Sequence, residues 1–287
     1  MVWILFGLLT AFFESMKDVF SKKSLKNINE YSFSWSLWFL SMIFLLPFLI
    51  FIKIPILGDR FFLALFVSGF LNLIETILFM KSIKISDLSI TIPLITFTPL
   101  FLLITSPIIV GEFPSYLGLI GVFLIVIGSY VLNFKSDHKG YLAPFKSLLT
   151  EKGPQFMLLV AFIWSITSNF DKIGVQNSSP IFWVISISTF LTLFLLPIML
   201  YKSRNNAKQF KTNYKILILA GLYAALGLIF QMMAINLTLV SYVISLKRTS
   251  ALMSVFWGYF IFKEKDIKKR LIGALIMVVG VLCITIS

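Results

Sequence analysis

One cysteine, one histidine and twelve acidic residues are all that this chain of 287 residues carries of those types. The lone Cys283 removes disulfides and cysteine-ligated zinc. With His138 alone in a polar linker, and no Gly-x-Ser-x-Gly or Gly-x-Gly-Asp run, no hydrolytic constellation can be assembled. Gly-x-x-x-x-Gly-Lys-[Ser/Thr] is also missing, so nothing cradles ATP. We therefore expect no catalytic residue, no metal and no cofactor. Charge is scarce too: 13% of residues are charged, against roughly 25% in soluble domains. In its place stand 59% hydrophobic and 16% aromatic residues and a mean hydropathy of +0.96. One water-soluble core cannot hide so much apolar surface, so lipid must solvate most of the chain. The expected class is an all-α polytopic membrane protein, multi-pass in the cell (inner or plasma) membrane. The net charge of +13 sits in short loops, where it sets orientation and meets lipid headgroups; nucleic acid is not an expected partner.

A crossing helix needs about 20 mostly apolar residues. Such runs lie near 2–20, 31–52, 61–81, 86–110, 114–133, 155–175, 180–201, 214–236, 241–262 and 268–286, predicting ten transmembrane helices. The first run lacks a basic start and a cleavage site, and it contains Glu14, Lys17 and Asp18, so it reads as a mature helix. Loops 1–2, 3–4, 5–6, 7–8 and 9–10 hold 19 of the 25 Lys and Arg residues. The positive-inside rule then makes these loops cytoplasmic and puts both termini outside. Residues 135–154, with Asp137, His138, Gly140 and Pro144, form a linker between units 1–134 and 155–287.

Those units repeat. A shift of 150 residues matches Ala11-Phe12 with Ala161-Phe162, Lys22 with Lys172, and Phe44-Leu45-Leu46-Pro47 with Phe194-Leu195-Leu196-Pro197. A shift of 152 then pairs Gly69 with Gly221, Met80 with Met232, Glu112 with Glu264, Gly121 with Gly273 and Gly128 with Gly280. Five helices per unit, an odd number, make the second enter from the opposite side. The expectation is two inverted five-helix repeats with a substrate site near the midplane.

Six charged side chains fall inside apolar runs: Glu14, Lys17, Asp18, Glu75, Lys247 and Arg248. Facing lipid, each would cost roughly 2.5–3.5 kcal/mol at a helix centre. They are therefore expected to face protein or water, and three acids with three bases permit mutual pairing. Lys17 and Asp18 lie nearer the loop, where a helix-end charge with its partner is the first reading and a functional role the second. Glu14 is one turn deeper, and Glu75 is mid-span with Asn72 one turn before it; each is a functional group or a satisfied interhelical partner. Lys247 and Arg248, followed by Thr249 and Ser250, suit a carboxylate or phosphate, or else a structural pair with Glu14 or Glu75. Under the repeat Glu14 maps onto Trp164, Glu75 onto Gly227, Lys247 onto Ile95 and Arg248 onto Thr96. The halves are thus expected to face each other across a polar cavity. Glu112, just before Pro114, and Glu264 suit helix starts as caps. Asn169, Asp171 and Lys172 read as a gate or an interface cluster. Pro93, Pro99 and Pro107 interrupt the fourth run, freeing carbonyls or bending the helix. Trp164, Tyr223, Gln231 and Trp257 can line a pocket or pack.

The run SYVISLKRTSALMSVFWGYFIFKEKDIKKRLIGALIMVVGVL and its first-half counterpart, SITIPLITFTPLFLLITSPIIVGEFPSYLGLIGVFLIVIGSYVL, resemble the EamA-type transporters of the drug/metabolite transporter superfamily. The resemblance spans about 2–134 and 155–286 and rests most on the Glu at the 4–5 and 9–10 turns and the spaced glycines that follow. It implies ten helices in two inverted repeats and secondary transport of small metabolites, without naming one. Glu14 with Lys22 and Ser24 is also similar to the first helix of small multidrug resistance exporters, although Lys17 and Asp18 are additions. The Lys247-Arg248 pair looks like the basic pair with which triose-phosphate translocators hold phosphate.

The function expected is a secondary carrier for a small polar solute, anionic or zwitterionic. Its substrate-binding residues would be Lys247, Arg248, Glu14, Glu75, Asn72, Thr249, Trp164 and Gln231, with Glu14 and Asp18 coupling protons. The alternative is proton-coupled export of hydrophobic cations through Glu14 and Glu75. A non-transporting receptor or assembly factor is a further class, and a membrane enzyme the least supported. The expected partners are the solute and the bilayer; the oligomeric state is open, a monomer included.

Overall fold

A computed structural model describes residues 2–24, 28–86, 88–133, 143–203, 206–262 and 267–287. The described residues form helices and no strand. In chain order these are α1 (Val2–Ser24), α2 (Glu30–Leu45) with a 3-10 turn at Leu46–Ile50, α3 (Phe61–Ile85), α4 (Leu88–Ile95), α5 (Thr98–Ile109), α6 (Tyr116–Asn133) and α7 (Ala143–Thr150). The rest are α8 (Lys152–Gln176), α9 (Pro180–Lys202), α10 (Asn206–Leu237), α11 (Val240–Lys247), α12 (Ser250–Phe262) and α13 (Ile267–Ile286). Six stretches are long and apolar enough to cross a membrane: Glu30–Ile50, Phe61–Ile85, Ile90–Ile109, Lys152–Gln176, Pro180–Lys202 and Phe210–Leu237. Tyr116–Leu132 and Ile272–Ile286 are shorter apolar helices. Of the linker, 135–142, with Asp137, His138 and Gly140, lie outside the described residues, and α7 and the start of α8 fall within 143–154.

Local chemistry fixes several ends. Asn29 accepts a hydrogen bond from the Tyr31 N–H at 3.0 Å and so caps α2. Ser179 does the same for Phe182 at 3.3 Å, with Pro180 in the first turn of α9. Both satisfy donors that a helix start leaves orphaned.

The fourth and ninth runs are not continuous helices. The fourth breaks at Thr96-Phe97 and the ninth at Arg248-Thr249, which are the same positions under the 152-residue shift. In the first break Thr96 and Thr98 donate their hydroxyls to the carbonyls of Pro93 (2.6 Å) and Ile95 (2.8 Å). In the second, Thr249 donates to the Leu246 carbonyl at 2.7 Å. The fourth run carries prolines and the ninth has none near its break, so the break belongs to the repeat and not to proline.

Packing follows an exchange of halves. The pairing of α3 with α8 recurs as α10 with α1, α4 with α8 recurs as α11 with α1, and α5 with α8 as α12 with α1. The equivalent helices α6 and α13 pack on each other, as do α2 and α9. Glycines set the contacts. A Cβ on Gly121 would stand 2.7 Å from the Gly280 carbonyl oxygen, and one on Gly128 2.6 Å from that of Gly273. The four glycines thus let two equivalent helices run antiparallel at backbone distance. Gly69 likewise makes room for Phe190, and its repeat mate Gly221 makes room for Leu40, the repeat mate of Phe190. Outward lie large apolar side chains such as Phe66, Ile104, Ile108, Phe123 and Leu193, the surface expected against hydrocarbon.

Candidate functional site

The break in the ninth run puts Lys247 on the last residue of α11 and Arg248 in the turn that follows. Cations are favoured there, because the final carbonyls of a helix carry its negative end. Lys247 Nζ donates to Gln231 Oε1 of α10 at 2.9 Å and lies 3.8 Å from Glu14 Oε1 of α1. Lys17 Nζ reaches the same Glu14 oxygen at 2.5 Å and Asp18 Oδ1 at 3.6 Å. Glu14 is therefore shared by two ammonium groups. A single carboxylate so engaged is a poor trap for an added hydrophobic cation.

Arg248 turns the other way. Its guanidinium carbon stands 5.8 Å from the centroid of the Trp164 ring on α8, a cation–π contact. Its Nε is buried without a hydrogen-bond partner among the described residues, and no carboxylate there lies within ion-pair distance of it. Trp164 is the repeat mate of Glu14. The two adjacent bases thus reach to equivalent positions of opposite halves, which sets them astride the axis relating those halves.

Glu75, 8% exposed, has Trp164 and Thr76 as side-chain hydrogen-bonding neighbours, the Thr76 hydroxyl donating at 3.4 Å. Lys17 and Lys247 lie within electrostatic range of it. Asn72, one turn earlier, donates to the Ser68 carbonyl at 2.8 Å. Thr249 is buried and spends its hydroxyl on the helix break. The structure therefore gathers Glu14, Lys17, Asp18, Glu75, Lys247, Arg248, Trp164 and Gln231 around one centre. Asn72 stands beside Glu75, and Thr249 serves the backbone. Trp257 donates to Ser15 at 3.2 Å, and Tyr223 stacks on Phe13 and Phe20 along the α1–α10 contact.

Asp171 joins this set although its sequence position suggests only a gate or interface. It accepts from Ser68 at 2.7 Å and from the Trp183 indole at 3.3 Å, and Lys247 is within electrostatic range. Seven residues separate Ser68 from Glu75 and Trp164 from Asp171, so the α3–α8 contact carries a polar rung at each end of two helical turns. That equal spacing on two runs was the signal available in the sequence.

A second charged group lies apart from this centre. Gly111 ends α5 with φ +73°, a left-handed conformation that glycine adopts freely, and presents Glu112. The buried Lys172 ammonium pairs with Glu112 Oε1 and donates to the Thr238 carbonyl at 2.8 Å. Glu112 Oε2 accepts from the Val240 N–H at 2.8 Å. Glu112 is thus a helix cap, but the helix is α11 of the other half, not the α6 that follows it. Glu264 lies outside the described residues. No group of three or more metal-ligating side chains occurs among the described residues.

Against known proteins, the model of the EamA-like transporter family matches residues 1–134 and 151–286. The chain belongs to the EamA-like transporter family. Two matches to one family model also give the chain its two-repeat architecture, and with its apolar helices make it an integral multi-pass membrane protein. Members of the EamA-like family are transporters and not enzymes. A solved structure, described as "Crystal structure of protein", is similar over 99% of this chain and 97% of its own, with a TM-score of 0.80 and 12% sequence identity. At that identity it bears on the fold alone. No curated protein matches the sequence.

Proposed function

We propose that this EamA-family chain is a secondary carrier that moves a small anionic or zwitterionic organic solute by alternating access. Ten transmembrane spans in two inverted repeats, with both termini outside the cell membrane, complete the reading. One observation carries it: Lys247 and Arg248 sit at a helix break and point to equivalent positions of the two halves. Discontinuous helices at matching places in two repeats are how many carriers build a midplane site. Arg248, with no carboxylate partner among the described residues, supplies a fork for a carboxylate or phosphate. Lys247 adds a second positive charge that substrate must win from Glu14 and Gln231. Glu75 on the facing wall suits an ammonium or a coupling proton, and Glu14 with Asp18 are the remaining proton acceptors. Export of hydrophobic cations is less well supported, since Glu14 is held by two lysines.

The test is counterflow in liposomes containing purified protein. The solute is chosen by a thermal-shift screen of amino acids, sugar phosphates, nucleotide sugars and quaternary amines, because a ligand that prefers the folded state raises its melting temperature. Lys247→Ala is expected to cut counterflow at least about tenfold, the loss of one charge-assisted contact. Undiminished exchange would remove the basic pair from the mechanism.

A further inference from the structure

The charged group at Glu112 stands at one end of the helices and joins both repeats. Glu112 follows α5 of the first half, Lys172 lies in the last turns of α8 in the second, and Thr238 and Val240 flank the turn from α10 to α11. The same end carries other ties between halves. The Gly58 N–H donates to the Asn177 carbonyl at 2.9 Å, and the Ser115 N–H donates to the Tyr242 hydroxyl at 3.1 Å.

A buried ion pair is a poor device for stability alone, because packed apolar side chains of the same volume serve as well or better. Its distinct property is release. If the turns part at the water end of the bundle, both charges regain hydration, whereas an apolar seal would expose its surface to water. The α6–α13 seam is a different kind of contact: at Gly121, Gly128, Gly273 and Gly280 it is glycine against backbone and apolar side chains. The molecule thus has a glycine-packed seam between its equivalent helices and a polar tie between the halves at one end.

Resting on the carrier reading above, we propose that Glu112 and Lys172 are the gate of this mouth: paired, they hold the 4–5, 6–7 and 8–9 turns together, and their separation opens the site on that side. In the repeat register Lys22 and Glu264 occupy the positions of Lys172 and Glu112.

The experiment measures a distance and needs no substrate. In full-length protein carrying Cys283→Ser, spin labels replace Phe113 of the 4–5 turn, 75% exposed, and the exposed Asn236 near the 8–9 turn. Double electron–electron resonance in lipid nanodiscs then reports the width of the mouth. Glu112→Gln keeps an acceptor for the Val240 N–H while removing the charge, and Lys172→Met removes the partner. Each is expected to convert a longer-distance population from a minor state of at most about 10% into the major one. Glu264→Gln is expected to leave this distance short. Lower melting temperatures with unchanged distances in both variants would reduce the pair to a bolt and overturn the gate. Widening together with absent counterflow in the wild type would keep the gate and discard the carrier reading.

Discussion

The two broken helices are the same structure built twice with different chemistry. Each breaks at the same point of the repeat, and each packs its first segment on the first helix of the opposite half: α4 on α8 and α11 on α1. Ile95-Thr96 stand at the first break, beside Leu94, Met157 and Val160 in an apolar cluster with Trp164 against it. Lys247-Arg248 stand at the second, beside Glu14 and Gln231. In α3–α8 a polar line of Ser68, Asn72, Glu75 and Asp171 runs where the equivalent α1–α10 contact has Ala220, Ala224 and Gly227 on α10. Phe13 stacks there between Phe230 and Tyr223. Residues that agree between the halves build the frame; residues that differ gather at the candidate site. On the carrier reading, duplication supplies a symmetry to rock about, and departures from it would let one solute be held by unlike ends.

That comparison can be broken most directly by making the second break like the first. The double substitution Lys247→Ile with Arg248→Thr copies Ile95-Thr96 into α11. Removing two buried charges that would bind the solute costs at least about 2 kcal/mol of binding, so counterflow is expected to fall about 30-fold or more. The fold should survive, because the twin break is stable with those residues, and an unchanged helical circular dichroism spectrum checks it. The reverse exchange, Ile95→Lys, puts an ammonium into the apolar cluster of Leu94, Met157 and Val160. Destabilisation of about 2.5–3.5 kcal/mol is expected, read as a lower melting temperature with no gain of transport. The smallest effect is assigned to Pro93→Ala. If the break belongs to the repeat, solution measurements on this variant should still find it, with a stability change of at most about 1 kcal/mol; a continuous fourth helix would show proline to be its cause.

Much of the frame is legible in the sequence because rare residues carry the register. Gly69 with Gly221, and Gly121 and Gly128 with Gly273 and Gly280, are paired by the single shift of 152 residues, and the same glycines turn out to set the close helix contacts. The break in the ninth run was not legible, since Lys247-Arg248-Thr249 contains neither glycine nor proline, and only its proline-bearing twin announced a discontinuity. The neighbours of the basic pair were not legible either. Lys247 can be expected beside an acid, but that Arg248 would lie over Trp164, the mate of Glu14, depends on the axis. The cap made by Glu112 was legible in kind and not in target, because 128 residues separate it from Val240 and helical periodicity says nothing at that range. Its partner had left a trace, for Lys172 and Glu112 are each matched in the repeat by Lys22 and Glu264. Charges retained in both copies of a mostly apolar unit are worth reading as a pair even when far apart.

The glycine contact of α6 with α13 has a consequence for how such a molecule tolerates change. Each bare Cα at this crossing is met both by the facing main chain and by one large side chain, Ile284, Met277, Leu132 or Ile125, so a methyl added on either helix would push the two apart. Drift is free on the lipid-facing rind and at the unlike walls of the interior, yet this narrow crossing must stay bare in both copies at once. The tightest contact between the two repeats is thus also the stretch least able to accept a side chain.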